Sequence, residues 1–171
     1  MITIQRAIAS DASILSPIAI QAHMESHGHS ASAADHENYI NRKLTAEAFV
    51  TELNIPEYIY HLIFAEEQLA GYSKIIFDFN HPDIAEQPVT KLERIYLTSP
   101  YYGMELGKKL FDHNVSLARD NHQQGMWLHV WKENHRAFAF YMKHGFKIIG
   151  HYEFEVSPTH FNPNHVMYIK F

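Results

Sequence analysis

The stretch WLHVWKENHRAFAFYMKHGF, from Trp127 to Phe146, decides the fold of this chain. Its opening residues are aromatic and branched and give way to polar ones, which predicts a strand over 126–132. Asn134 is a residue type that begins helices, and Gly145 favours the left-handed conformation that often ends them. A helix is therefore predicted over 134–144, directly after the strand.

A second strand that runs into a helix is predicted upstream, in LERIYLTSPYYGMELGKKLFDH, from Leu92 to His113. The strand is predicted over about 91–98 and the helix over about 103–121. The first N–H groups of such a helix are free, and together with the helix dipole they attract an anion. Gly107 stands where a backbone would have to approach that anion closely. An ordinary strand–turn–helix connection explains the same pattern.

The remaining segments predict further strands and helices around these two units. A short loop with two prolines, 80–88, shows no periodicity and begins no second domain, so one domain over 1–171 is expected. Alternating helices and strands predict a mixed α/β (α+β) sheet. The predicted elements are a strand at 2–8, helices at 12–26 and 35–53, a hairpin at 57–79, and strands at 146–155 and 164–171.

Composition excludes several classes of function. The chain of 171 residues has no cysteine, so thiol catalysis and thiolate metal sites are excluded. Its formal net charge of −5 argues against a nucleic-acid surface. No basic segment followed by an apolar run begins the chain, and no stretch reaches the length of a membrane span. A cytoplasmic protein without nucleic-acid or membrane partners is expected, and a homodimer is kept as a hypothesis.

Taken together, the two motifs resemble those of the GNAT family of acetyl-CoA-dependent N-acetyltransferases. The first motif of that family runs (Q/R)xxGx(G/A) and the second runs ExNxxAxxFYxKxGF. This chain matches the second motif without a gap, at Glu133, Asn134, Ala137, Phe140, Tyr141, Lys143, Gly145 and Phe146. The resemblance implies a mostly antiparallel sheet flanked by helices, with a V-shaped splay between the strands at 91–98 and 126–132. Within the family, the chain looks closest to small bacterial spermidine or spermine acetyltransferases.

The resemblance also implies where acetyl-CoA, or coenzyme A as product, would bind; it implies no metal. Backbone groups of Ile95 and Leu97 would bind pantetheine in the splay. Asn134 would contact the cofactor arm, and Lys143 would lie near the nucleotide end. The turn would wrap the pyrophosphate with the amides of Tyr102, Gly103, Met104, Glu105, Leu106, Gly107 and Lys108.

The implied reaction is direct acetyl transfer to a primary amine. Tyr141 resembles the general acid of the family, which protonates the departing thiolate. Glu93 is the predicted base, because two-residue alternation puts it on the strand face of Ile95 and Leu97. Each residue also has a structural explanation: Asn134 as an N-cap, Tyr141 as a core tyrosine, and Glu93 as an ion-paired carboxylate.

The chain departs from the family pattern at two positions. Tyr102 replaces the usual Gln or Arg, and Glu105 replaces the usual middle glycine. Backbone N–H groups do not depend on the side chain, so the amide cradle can survive both changes. A carboxylate near a pyrophosphate nevertheless predicts weaker binding of coenzyme A than a glycine would give.

Two further features bear on the acceptor. His23 and His27 have a spacing seen in metal sites, but no third ligand is indicated, and with His29 they also fit a polar segment bordering the acceptor site. The acids Glu25, Asp35 and Glu37 near the presumed acceptor opening favour a polyamine. A noncatalytic acyl-CoA-binding regulatory module is the alternative function.

Overall fold

The computed structural model describes residues 1–171 and contains seven strands and five α-helices. No helix combines the length and the apolar content that crossing a bilayer requires. The strands are β1 (Ile2–Arg6), β2 (Tyr58–Ala65), β3 (Gln68–Ile76), β4 (Thr90–Leu97), β5 (Gly125–Trp131), β6 (Lys147–Ser157) and β7 (His160–Lys170). The helices are α1 (Ala12–His27), α2 (Ala33–Lys43), α3 (Ala46–Leu53), α4 (Leu106–Asp120) and α5 (His135–Lys143).

All seven strands form one sheet in the order β1-β2-β3-β4-β5-β7-β6. Every neighbouring pair is antiparallel except β4 and β5, which run parallel. These two strands pair only at Thr90 with Met126 and at Lys91 with Trp127, so they separate over the rest of their length. The predicted mixed sheet with a V-shaped splay is confirmed.

Helices cover both faces of the sheet and bury a separate core on each. On one face, α4 and α5 pack through Phe111 and Tyr141 against Leu92, Met126 and residues around them. On the other face, α1 and α3 pack against β2 and β3, around Phe49, Tyr60 and Tyr72. The splay between β4 and β5 thus opens between two helical layers.

The helix predicted over 35–53 is two helices, and that prediction was wrong. The chain leaves α2 at Leu44, and Thr45 begins α3 because its hydroxyl accepts a hydrogen bond from the N–H of Ala48 at 3.1 Å. The hydroxyl of Ser16 in α1 donates to the carbonyl of Leu44 at 2.6 Å. The break therefore lets α3 fold onto α1, with its backbone polar groups satisfied.

A β-bulge in β4 corrects the predicted orientation of Glu93. Arg94 pairs with Lys74 of β3, but the next pair joins Leu92 to Ile75, so Glu93 is an extra residue. Leu92 packs in the same core as Ile95, which leaves Glu93 and Arg94 together on the opposite face, towards α1 and α3. Glu93 therefore does not share a face with Ile95 and Leu97.

Candidate active site

A cavity of about 370 Å³ lies between the end of β4, the turn that follows it, and α5. We call it the turn cavity. Nine of the eleven residues that the resemblance assigns to the cofactor line it: Ile95, Leu97, Tyr102, Gly103, Glu105, Leu106, Gly107, Lys108 and Lys143. Most of the residues that the resemblance assigns to the cofactor therefore lie together on one surface.

The turn that lines this cavity presents a run of unpaired amides. Tyr102 donates its N–H to the carbonyl of Ser99, and Lys109 donates to Glu105, but none of the six N–H groups from Gly103 to Lys108 donates to another backbone group. They lie at the N-terminus of α4, where the helix dipole favours negative charge. This geometry suits a phosphate or pyrophosphate group.

Gly107 leaves space beside the amides at the start of α4. A methyl group at its Cα would meet only the Cδ1 atom of Leu97, at 3.5 Å, so nothing in the protein itself demands a glycine here. The absence of a side chain leaves the α4 amides accessible from the cavity. The residues present therefore fit a bound phosphate group.

Glu105 takes the place of a glycine in conformation as well as in sequence. Its backbone is left-handed, with φ of 59°, and its side chain is exposed and makes no capping hydrogen bond. Lys108, which could offset its charge, pairs with Asp112 at 2.5 Å. The carboxylate of Glu105 thus stands beside the amide cradle without a cation bound to it.

Two of the predicted cofactor residues, Met104 and Asn134, do not line the turn cavity, although the N–H of Met104 belongs to the run of unpaired amides. Met104 is 54% exposed and does not line the turn cavity. Asn134 begins α5, where its Oδ1 accepts a hydrogen bond from the N–H of Ala137 at 3.2 Å. Its structural role as an N-cap is therefore present in the fold, and its side chain lines a second cavity.

Sequence reasoning missed Arg136, which lies at the mouth of both cavities. Its guanidinium lies over the ring of Tyr102, 3.6 Å from the ring centroid. A cation in the first turn of a helix opposes the helix dipole, so Arg136 in the first turn of α5 was the signal that could have singled it out. This cation–π contact between Arg136 and Tyr102 packs the start of α5 against the turn.

The second cavity, about 170 Å³, lies on the α1 and α2 side of the splay, and we call it the inner cavity. Side chains from distant parts of the chain line it, among them His23 and His27 of α1, Tyr39 of α2, Trp131 of β5 and Asn164 of β7. Burial, reinforced by neighbouring histidines, lowers the pKa of His23 to about 3 and that of His27 to about 4. Both imidazoles are therefore neutral at physiological pH.

Tyr141 lies where the two cavities meet. It lines both of them, together with Ile95, Tyr96 and Leu97 of β4. Burial, and to a smaller extent the neighbouring Tyr96, raises the pKa of the Tyr141 hydroxyl, so the phenol keeps its proton. A ligand reaching through the splay from either side would meet a protonated hydroxyl here.

Glu93 also lines the inner cavity, as one member of an ion-paired group. Its carboxylate lies 2.8 Å from Nζ of the buried Lys74 and 4.0 Å from Nζ of Lys91. Burial alone would raise the pKa of Glu93, but Lys74 and then Lys91 outweigh burial and lower it. The carboxylate is therefore ionised at neutral pH.

The acids invoked for a polyamine do not line the inner cavity. Glu25 accepts hydrogen bonds from the N–H of Ser99 at 2.7 Å and from its hydroxyl at 2.9 Å. Asp35 bonds to Ser32 at the start of α2, and neither it nor Glu37 reaches the cavity wall. The acidic opening inferred from the sequence therefore stays a prediction, and none of the three acids forms part of the cavity wall itself.

The histidines of the α1 end pack on one another. Nε2 of His23 lies 3.1 Å from Nδ1 of His36, and the His23 and His27 rings are stacked. No group of three or more His, Asp or Glu side chains in the structure is arranged to hold a metal ion.

The site is thus a cleft through a splayed strand pair, with an amide-lined turn at one end and a protonated tyrosine midway, a geometry that suits acyl transfer. The model of the acetyltransferase (GNAT) family matches residues 21–146. The chain therefore belongs to the acetyltransferase (GNAT) family, and it is an acyltransferase that uses acetyl-CoA.

Individual relatives agree with this assignment. An uncharacterized N-acetyltransferase in the pepI 3' region of Lactobacillus delbrueckii subsp. lactis is 25% identical over 118 residues, covering 69% of this chain and 68% of the relative. An uncharacterized N-acetyltransferase of Mycobacterium tuberculosis is 26% identical over 125 residues, covering 73% of this chain and 76% of the relative. The crystal structure of the PaiA N-acetyltransferase from Thermoplasma acidophilum, in complex with coenzyme A, has a TM-score of 0.80 at 20% identity and covers 100% of this chain and 99% of that chain.

Proposed function

We propose that this protein transfers the acetyl group of acetyl-CoA directly to a small primary amine. The observation that carries the proposal is the position of Tyr141, which lines both the turn cavity and the inner cavity. The thioester would enter from the turn cavity and the amine from the inner cavity. The two substrates would then meet beside a protonated hydroxyl.

Residues of the turn cavity would hold the coenzyme. Its pyrophosphate would lie against the unpaired amides between Gly103 and Lys108, beside the open space at Gly107. Beyond Lys91, the edge of β4 that faces β5 has no strand partner, so backbone groups at Ile95 and Leu97 can pair with the pantetheine amides. Lys143 lines the same cavity and would lie towards the nucleotide.

Tyr141 would act as the general acid. The amine nitrogen forms a bond to the acetyl carbon, the carbon–sulfur bond breaks, and the phenol donates its proton to the departing sulfur. The proton that the new amide nitrogen releases then returns Tyr141 to the phenol through solvent. Burial raises the pKa of the Tyr141 phenol. The same desolvation raises the pKa of the thiol that leaves beside it, so the pKa values of the proton donor and the proton acceptor shift in the same direction. A backbone N–H of β4, as at Leu97, would polarise the thioester carbonyl.

Glu93 is the proposed base, and it would take the ammonium proton through water. Its ionised carboxylate lines the inner cavity, which supports the assignment, but its pairing with Lys74 makes it a weak base. Neutral His27 lines the same cavity and is the alternative proton acceptor. Comparing the pH dependence of kcat/KM in Glu93→Gln and His27→Gln would separate the two, because only loss of the true base removes the acidic limb.

The test of the proposed function is thiol release from acetyl-CoA in the presence of a panel of amines, with Tyr141→Phe beside the unaltered protein. Tyr141→Phe is expected to lower kcat about 10²–10⁴-fold while coenzyme A binding, followed by calorimetry, stays the same. Tyr168→Phe is the matched control, since that hydroxyl has no hydrogen-bond partner and lines neither cavity.

The noncatalytic alternative makes a different prediction. A regulatory module would bind coenzyme A but release no thiol above background hydrolysis with any amine. Full activity in Tyr141→Phe would instead mean that the protein catalyses acetyl transfer but that Tyr141 is not its general acid.

A further inference from the structure

The inner cavity borders a group of five charged side chains in which the charges do not balance. Lys74 lies 2.6 Å from Glu52 and 2.8 Å from Glu93, and Arg94 lies 3.7 Å from Glu52. Lys91 is the fifth member, 4.0 Å from Glu93. Three cations share two carboxylates, so one positive charge is unmatched.

The unmatched charge belongs to Lys91. Lys74 is held by two carboxylates, and Arg94 donates to the hydroxyl of Tyr60 at 3.0 Å and pairs with Glu52. The ammonium of Lys91 makes no hydrogen bond to the protein, although its side chain is only 16% exposed. The ammonium of Lys91 faces the cavity, where water can hydrate it, and Glu93 is 4.0 Å away and is shared with Lys74. An anion bound in the cavity would therefore give Lys91 the close charge partner that the protein does not supply.

The surroundings of Lys91 favour an anionic ligand. Burial lowers the pKa of Lys91, Glu93 opposes this effect, and the nearby cations Lys74 and Arg94 add to it. An anion bound at Lys91 would offset this repulsion as well as the lost hydration. Its nitrogen also lies over the rings of Phe79 and Trp127, 5.0 and 5.2 Å from their centroids, which holds the ammonium in place.

No other carboxylate of the protein lines the inner cavity besides Glu93. The neutral histidines His23, His27 and His129 add no positive charge to its wall, with the pKa of His129 lowered to about 4 by burial and by Lys91. Asn164, which is 6% exposed, also lines the cavity, and its amide oxygen has no partner. Arg136 also lines this wall without a carboxylate partner, but its guanidinium is stacked on Tyr102 at the turn. Deeper in the splay, the wall therefore offers the cation Lys91 and the free hydrogen-bond acceptor of Asn164.

We propose that the acceptor amine carries an anionic group, a carboxylate or its equivalent, and that Lys91 binds this group and sets the specificity of the enzyme. The inference rests on the proposed function, since it names the class of amine that enters the inner cavity. Amino acids and similar amino-carboxylates meet the requirement: their N–H groups can donate to Asn164 and their carboxylate can pair with Lys91. A polyamine brings only positive charge and would be repelled by Lys91.

The first test compares three series of amines in the thiol-release assay: ω-amino acids, monoamines and α,ω-diamines of equal chain length. Lys91 and Ile95 lie on either side of the bulge in β4 and pair with Ile76 and Ser73 of β3, so they are about 10 Å apart along the sheet. Chains of two to about eight carbons cover this span. We expect kcat/KM to be highest for one of the ω-amino acids and about tenfold or more above the diamine of the same length. A diamine that equals or exceeds its amino acid would overturn the inference.

The second test assigns the preference to Lys91. In Lys91→Met, the ratio of kcat/KM between amino acid and monoamine is expected to fall about tenfold, through KM, because Met keeps the apolar stem and loses the charge. Lys91→Arg is expected to retain the preference. Lys147→Met removes an exposed lysine outside both cavities and should leave the ratio unchanged.

The outcomes separate this inference from the proposed function. If no amine of any series releases thiol, the proposed function fails. If thiol release occurs and Lys91→Met keeps the full preference for amino acids, the proposed acetyltransferase function holds, but Lys91 does not set the specificity. The comparison of substrates on the unaltered protein decides the inference even if Lys91→Met does not fold.

Discussion

At the scale of single residues, Glu105 holds a backbone conformation that is usual for glycine, at the position where the family pattern has one. The backbone retains the left-handed conformation, with φ of 59°, that a glycine would adopt without strain. The amides from Gly103 to Lys108 remain free to bind an anion. The substitution therefore preserves the cradle and adds a negative charge and local strain.

Replacing Glu105 should separate the charge from the strain. Glu105→Gly is expected to tighten coenzyme A binding about two- to fivefold and to raise the free energy of unfolding by up to about 1 kcal/mol. Glu105→Gln should tighten binding similarly without the gain in stability, because it stays left-handed. Calorimetric titration and urea unfolding measure the two effects, and unchanged affinity in both variants would show that the carboxylate does not act on the pyrophosphate.

At the scale of elements, the side chain of Asn134 caps α5 and leaves a hydrogen-bond donor free. Asn134 caps the helix through its Oδ1, which accepts from the N–H of Ala137, while its Nδ2 remains available to a ligand in the splay. The position of Tyr141 depends on this cap, since the same helix carries both residues. The structural and the cofactor-binding explanations of Asn134 are therefore compatible.

Asn134→Asp should distinguish the two roles. Aspartate caps a helix as well as asparagine does, so the free energy of unfolding should change little, but it cannot donate a hydrogen bond and should weaken coenzyme A binding. Asn134→Ala should lose about 1 kcal/mol of stability as well. If Asn134→Asp binds coenzyme A with the original affinity, the side chain is a cap alone.

At the scale of the whole molecule, buried histidines should make the fold sensitive to acid. The chain has 14 histidines, and burial lowers the pKa of His23 to about 3 and those of His27, His61 and His129 to about 4. The ordinary value is near 6.5. Below that pH the unfolded chain takes up protons that the folded protein does not, so the free energy of unfolding falls as pH falls towards 4.

Urea unfolding at pH 7.5 and 5.5 tests this. We expect the free energy of unfolding to be lower at pH 5.5 than at pH 7.5, by on the order of several kcal/mol. Each buried histidine contributes up to about 1.4 kcal/mol per pH unit. His61→Asn should reduce the pH dependence by the contribution of one buried histidine. His61 lies outside both cavities, so this variant leaves the candidate active site unaltered. His135→Asn, at a side chain that is 80% exposed, is the control. Stability that is constant or rises on acidification would contradict the prediction.

Local patterns predicted the elements that local chemistry specifies. The strand and helix around Asn134, Gly145 and Tyr141 follow from capping and periodicity. Most of the residues that line the turn cavity were predicted by the resemblance of the two motifs to the GNAT family. The break at Thr45 was missed because the apolar spacing continues across it, although Thr is itself an N-cap residue type. The placement of Glu93 failed because two-residue alternation holds only for an unbulged strand.

The sequence by itself determined the family, and through the resemblance the splayed strands and the turn with free amides, because contiguous residues supply the caps, the amides and the helix face concerned. Only the tertiary structure decided what lines the inner cavity. Lys91 and Glu93 come from β4, His27 from α1 and Asn164 from β7, elements that the fold brings together over long sequence distances. The balance of charge around Lys91 depends on those long-range contacts, so no local pattern could have shown an unmatched cation there.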